Sequence, residues 1–237
     1  MSTVGTVRTT VASYTRHPRH GPLPAILLLL TLGTGLVDAV SILGLGRVFV
    51  ANMTGNVVFI GFALAGAPGF SLLGSVVALA AFLLGAAGGG FLIARFAGHR
   101  GRLLRDALVL QLGLFLVALV LGATLDVPTA VLGLAAFALG VQNSVVRHLA
   151  VPDLTTTVLT MTLTGIGADL RRRDVATAAR RLVTVLSMAV GAFVGAVLVF
   201  RVGVEAGLVA VTVVTAVALV AAAVASRGEP GWALPPV

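Results

Sequence analysis

Gly35-Leu36-Val37-Asp38-Ala39-Val40-Ser41, then, after six further residues, Val48-Phe49-Val50-Ala51-Asn52-Met53-Thr54-Gly55-Asn56, place an acid, two amides and a glycine inside apolar sequence. The run that holds Asp38 extends from Leu23 to Leu45, long enough to cross a hydrocarbon core of about 30 Å. Asp38 stands about seven residues from its end, roughly 10 Å at 1.5 Å per residue. Ionisable residues at that depth are costly and usually face a protein interior or a water-filled cavity. The following run, 48–65, has amides and a glycine at its start. In lipid such a segment is helical unless protein or a cavity shelters its backbone, so a broken or re-entrant helix is expected there.

The rest of the chain agrees with a membrane reading. Its 237 residues are 58% hydrophobic and 10% charged, against roughly 45–50% and about 25% in ordinary soluble domains, and the mean hydropathy is +1.11. That composition excludes a typical soluble enzyme, a disordered chain and a nucleic-acid-binding domain, despite a pI of 11.8. With no cysteine, disulfides, thiol catalysis and thiolate metal sites are excluded. Further apolar runs lie at 70–94, 107–125, 128–146, 154–168, 182–200 and 206–225. The basic start, followed by a run longer than the usual h-region, predicts a retained first span rather than a signal peptide. The run from Leu154 is the weakest, with threonine at 155, 156, 157, 160, 162 and 164.

The chain also resembles itself. A shift of 105 residues pairs Gly35 with Gly140, Asp38 with Asn143 and Val40 with Val145; a shift of 106 pairs Thr54 with Thr160, Gly61 with Gly167, Gly85 with Gly191, Gly89 with Gly195 and Arg95 with Arg201. Two G-x-x-x-G motifs thus fall in corresponding spans, which predicts a duplication. Arginines cluster at Arg8, Arg16 and Arg19, at Arg95, Arg100, Arg102 and Arg105, and at Arg171, Arg172, Arg173, Arg180 and Arg181. If all eight runs crossed, the last two clusters would face opposite sides, against the positive-inside rule. If 48–65 and 154–168 instead enter and leave on one side, the clusters, the N-terminus and Arg227 face the cytoplasm. Arg47, Asp126, Arg201 and Glu205 then lie outside. The expected fold is all-α and polytopic, with two inverted repeats of three transmembrane helices plus one broken or re-entrant segment. The divisions are 1–22, a basic cytoplasmic segment; 23–126 and 127–226, the repeats; and 227–237, a tail.

Candidate residues follow from the scarcity of polar groups. Asn52, Asn56 and Asn143 are the only asparagines, and all fall in or beside repeat-related motifs. Asp38 reads either as a cation ligand or protonatable coupling site, or as a cap bracing the neighbouring broken segment. The turn holding Asn52, Thr54, Gly55 and Asn56 would expose backbone N–H groups and the positive end of a helix dipole to a polar or anionic solute. Thr157, Thr160 and Thr162 would line the other half of a pathway, or only hydrogen-bond between helices. Gln142 and Asn143 lie deep in the fifth run and face the bundle. Asp153 is a candidate N-cap for the sixth run, Asp169 a partner for Arg172 or Arg173, and Arg147 and His148 solvated anchors. Gly85, Gly89, Gly191 and Gly195 permit close helix packing within one subunit or in a homodimer. His17, His20, His99 and His148 lie outside or at the ends of spans, and no H-E-x-x-H helix, acid pair or P-loop is present. No catalysis, cofactor or metal is expected.

The G-L-V-D-A-V-S segment with the N-M-T-G-N motif resembles the YoaK-like bacterial membrane proteins, a domain-of-unknown-function family. The resemblance continues through Gly140-Val141-Gln142-Asn143 and the 155–164 threonines and spans about residues 22–226. It implies a polytopic protein of the bacterial inner membrane and carries over no substrate or catalytic residue. Met161 stands where the second motif would carry glycine, which puts equivalent binding by the two half-sites in doubt. The expected function is a transporter or channel for a small polar or ionic solute, proton- or cation-coupled if Asp38 takes that part. The alternative is a non-transporting membrane scaffold or sensor. The expected partners are the lipid bilayer and a small solute, without nucleic acid.

Overall fold

The computed structural model describes Tyr14, residues 17–152, Leu154, 156–157, 159–227 and 231–234. Arg8, Arg16, Asp153 and Thr155 lie outside the described residues. The helices are α1 (Leu23–Gly44), α2 (Met53–Leu64), α3 (Leu72–Phe96), α4 (Arg100–Thr124), α5 (Pro128–Leu149), α6 (Leu159–Arg171), α7 (Val175–Arg201) and α8 (Val204–Ala225). Six of them, all but α2 and α6, are long and apolar enough to cross a membrane. The described residues form no strand beyond a single bridge between His17 and Gly21.

Capping explains where the helices depart from the apolar runs. The fourth helix starts at Arg100, seven residues before its run, because the imidazole of His99 accepts a hydrogen bond from the Arg102 N–H at 3.0 Å and arginine is a good helix former. The seventh starts at Val175 because the Asp174 carboxylate accepts from the Thr177 N–H at 3.0 Å. Ser71 caps α3 through the Gly74 N–H at 2.9 Å. Two runs shrink instead. Residues 48–52 are loop rather than helix, and the described part of α6 starts at Leu159; the N-cap expected at Asp153 lies outside the described residues. Asp169 pairs with Arg181 at 3.3 Å, not with Arg172 or Arg173. Its helix ends at Arg171 and Arg173 turns away with a φ of 59°.

Within lipid there is little hydrophobic drive between helices, so close packing depends on small residues. Helix α1 packs along α7, and α5 along α3. At the first crossing Gly191 lies against the Leu32 carbonyl and Gly35 against that of Met188; at the second, Gly85 lies against the Phe137 carbonyl and Gly140 against that of Phe82. Gly195 meets Leu36 and Ala39, as Gly89 meets Val141 and Ser144. Both G-x-x-x-G motifs are therefore consumed inside one chain. Helices α4 and α8 pack on each other and on the α1 and α5 pair. Two apolar clusters result. One gathers Leu36, Val40, Val48, Val50, Phe82 and Leu132; the other gathers Leu27, Leu104, Val145, Leu149, Val151 and Leu154.

Hydrogen bonds identify the two ends of the bundle. Arg100, only 5% exposed, donates to the Leu149 carbonyl at 2.7 Å, to Nδ1 of His20 at 2.9 Å and, at 3.4–3.5 Å, to the carbonyls of Arg19 and Trp232. Tyr14 donates to the Arg180 carbonyl at 3.0 Å. The starts of α1, α4 and α7 and the ends of α5 and α8 thus share one end. At the other end Gly44 meets Val204, and the Arg47 guanidinium lies over Gly69. The segment from 45 to 69, α2 included, accordingly leaves and returns at a single end. At about 1.5 Å per residue, α2 and α6 are about 18 and 20 Å long, short of a full crossing.

Arginine can only donate, so Nδ1 of His20 must be its acceptor and the ring must be neutral. Burial, with the Arg100 charge beside it, pushes the His20 imidazole down to about 4. The unfolded segment binds a proton below about 6.5, so the stability of this contact is full above that pH and declines as pH falls towards 4. Amide protection at residues 17–21, followed by hydrogen exchange, should fall across that interval and level off below it. Flat protection over the interval would contradict this account of the latch.

Candidate functional site

The loop 45–52 turns back into the bundle with positive φ at Gly46 (102°) and Arg47 (57°), then continues with Val48 and Val50 fully buried. Its backbone donors need partners, because an unpaired N–H away from water is costly. Side chains supply them in sequence. Asn56 Oδ1 accepts from the Phe49 N–H at 2.9 Å, while Asn56 Nδ2 donates to the Phe49 carbonyl at 2.7 Å. Asp38 Oδ1 accepts from the N–H groups of Val50 at 3.1 Å and Ala51 at 3.0 Å. Its other oxygen is buried without a hydrogen-bond partner among the described residues. The aspartate and Asn56 thus hold the loop, which lets α2 begin at Met53, deep in the bundle. Gly55 is needed because a Cβ there would stand 2.5 Å from the Phe49 ring. Phe49 stacks on Phe59, and Phe59 in turn meets Phe70, with centroids 5.6 and 5.0 Å apart.

The second loop is held by side chains of α5. Asn143 Oδ1 accepts from the Thr157 hydroxyl at 3.0 Å. Gln142 donates to Thr156 at 3.2 Å and to Thr34 at 3.4 Å, and accepts from Gln111 at 2.7 Å. Residues at the same offset therefore do the same work with different chemistry. Asp38 grips Val50 and Ala51, whereas Gln142 and Asn143 grip Thr156 and Thr157.

Between the starts of α2 and α6 lies a half-enclosed cavity of about 520 Å³. Asn52, Thr54, Gly55, Asn143, Thr157 and Thr160 line it, so five of the polar positions expected from sequence, with Gly55, are brought together. Asp38, Asn56, Gln142 and Thr162 are buried but lie outside its wall. Asp38 and Asn56 stand behind the first loop, and Gln142 behind the second. The glycines of the two G-x-x-x-G motifs are packed in the helix crossings. Phe82 and Met188 complete the cavity with Phe49, Phe59, Met53 and Leu159; sequence reasoning passed over them. The 106-residue offset pairs Phe82 with Met188, but two different apolar residues in apolar spans do not stand out. No group of three or more metal-ligating side chains occurs among the described residues, and none of the described cavity-lining residues is charged.

Six helices long and apolar enough to cross a membrane, with two short helices that begin at a partly polar cavity, define a multi-pass α-helical membrane protein. The chain belongs to the family described as "Protein of unknown function (DUF1275)", whose profile matches residues 26–222. It is 31% identical over 154 residues to the "UPF0700 transmembrane protein YoaK" of Bacillus subtilis (strain 168), covering 62% of this chain and 67% of that protein. No solved structure matches.

Proposed function

We propose that the chain is a transporter or channel that passes a small polar or ionic solute through the cavity between α2 and α6. The observation that carries this reading is that both short helices begin at one cavity, each contributing the same positions. Met53 and Leu159, Thr54 and Thr160, Ala51 and Thr157, and Phe82 and Met188 line it as pairs offset by 106 residues. The glycine crossings support two repeats, because Gly35 against Met188 and Gly140 against Phe82 are one contact made twice. Each repeat then holds three crossings, an odd number, so the halves are inverted. Inverted repeats with interrupted helices are a recurring transporter architecture. The arginine-rich end, from which α1 starts, faces the cytoplasm of a bacterial inner membrane, and the N-terminus with it. Proton or cation coupling, where flux follows such a gradient, belongs to Asp38.

Two experiments test this. Purified protein in liposomes should admit solutes from a mixed small-molecule panel, as read by mass spectrometry of the vesicle contents, and the Thr54→Val, Thr160→Val double variant should cut entry about tenfold, the loss of one to two hydrogen bonds. No protein-dependent entry for any solute leaves the scaffold or sensor reading in place. The topology is read by labelling single cysteines in this cysteine-free chain. Ala65→Cys should react only from outside and Ala176→Cys only from inside, both positions being exposed. Reaction of both from the same side defeats the inverted-repeat arrangement.

A further inference from the structure

We propose that the cavity takes a small organic solute with an oxygen acceptor at one end, a carbonyl or carboxylate, and an apolar body at the other, rather than a bare inorganic ion or an organic cation. The inference rests on the pathway proposed above and specifies its solute class. Its first support is size. A cavity of about 520 Å³ falls within the roughly 300–1,000 Å³ of organic-ligand pockets, whereas a dehydrated monatomic ion needs a tight ring of ligands.

The second support is the division of the wall. Asn52, Thr54 and Thr160 supply hydroxyl and amide groups, Asn143 keeps its amide N–H groups while its oxygen holds the Thr157 hydroxyl, and Phe59, Phe82 and Met188 supply aromatic and thioether surface. Rings and thioethers pack well on flat apolar bodies. The third support is charge. The described wall has no acid, and the buried Asp38 stands behind the first loop with one oxygen committed to the Val50 and Ala51 amides. An organic cation would therefore be desolvated with no counter-charge. An oxygen acceptor suits the donors present, and the starts of α2 and α6 add partial positive charge on the same side.

Size-matched probes separate these cases. Benzamide, benzoate and benzamidinium share one body and differ in the charged or acceptor end; nitrate and glycerol lack the body. In detergent, benzamide or benzoate should raise the melting temperature saturably, with benzamidinium, nitrate and glycerol at least about tenfold weaker. Phe82→Ala and, separately, Thr54→Val with Thr160→Val should each weaken the bound probe about tenfold, while Gly61→Ala, outside the cavity wall and with open space around the added Cβ, should not. Benzamidinium binding as tightly as the other two, nitrate binding alone, or no saturable binding of benzamide or benzoate overturns the inference. The vesicle assay reads the pathway separately. Binding without entry removes transport and leaves the solute class, whereas entry of ions without benzamide or benzoate binding removes the class and leaves transport.

Discussion

Gly191→Leu should abolish a stably folded monomer. A Cβ at residue 191 runs into the Leu32 carbonyl, a backbone atom that moves only if α1 and α7 separate along their length. Separation also disturbs Gly35 against Met188 and Gly195 against Leu36, because all three contacts lie in one crossing. Overpacking a close-fitted core costs about 1–3 kcal/mol, occasionally more, and three coupled backbone contacts put this substitution at or above about 3 kcal/mol on that scale. The readout is loss of the monodisperse gel-filtration peak together with a lowered melting temperature in detergent. Gly61→Ala is the matched control. Its site is also helical but nothing lies within 4 Å of the added Cβ, so the change should be neutral or slightly stabilising, by up to about 1 kcal/mol of helix propensity. Equal behaviour of the two variants would mean that the crossing is looser than described.

Asp38→Leu should release the first loop. Two buried N–H groups, those of Val50 and Ala51, lose their acceptor, and each unsatisfied donor costs about 1–3 kcal/mol, hence about 2–6 kcal/mol together. Hydrogen exchange at those two amides should accelerate strongly, and solute entry should fail with it. Asp38→Asn retains an acceptor oxygen in place of Oδ1, so most amide protection should survive. The pair of variants divides the two parts assigned to this residue. Flux lost in Asp38→Asn with amide protection intact points to coupling; flux and protection lost only in Asp38→Leu point to a positioning residue.

The short helices illustrate what a linear reading can reach. The amides and glycine of the N-M-T-G-N motif marked an interruption, since a lipid-exposed helix has no use for them, and the positive-inside rule disfavoured a full crossing by this segment. The residues that hold the interruption were harder to assign. Asp38 reads equally as a coupling site or as a brace for the neighbouring segment and Asn56 as a wall residue; Asp38 Oδ1 and the Asn56 oxygen are spent on the backbone of residues 49–51, which is the bracing part. A sequence shows that a polar group is buried without showing which backbone donor lies within 3 Å of it. Phe82 and Met188 were missed for the converse reason. Apolar residues in an apolar span carry no contrast, and only their convergence on the cavity distinguishes them.

Membrane class, helical content and the self-similar offset were already present in the order of the residues, because hydrocarbon forbids unpaired backbone and makes each polar residue conspicuous. Side-chain pairing, by contrast, depends on distances across helices far apart in the chain. The tie from Arg100 to His20, Leu149 and Trp232 joins four segments that no local pattern relates. Likewise, the packing of each G-x-x-x-G face against the opposite half, rather than a second copy of the chain, followed from which carbonyls the glycines meet. The cavity itself exists because those crossings bring the starts of α2 and α6 together.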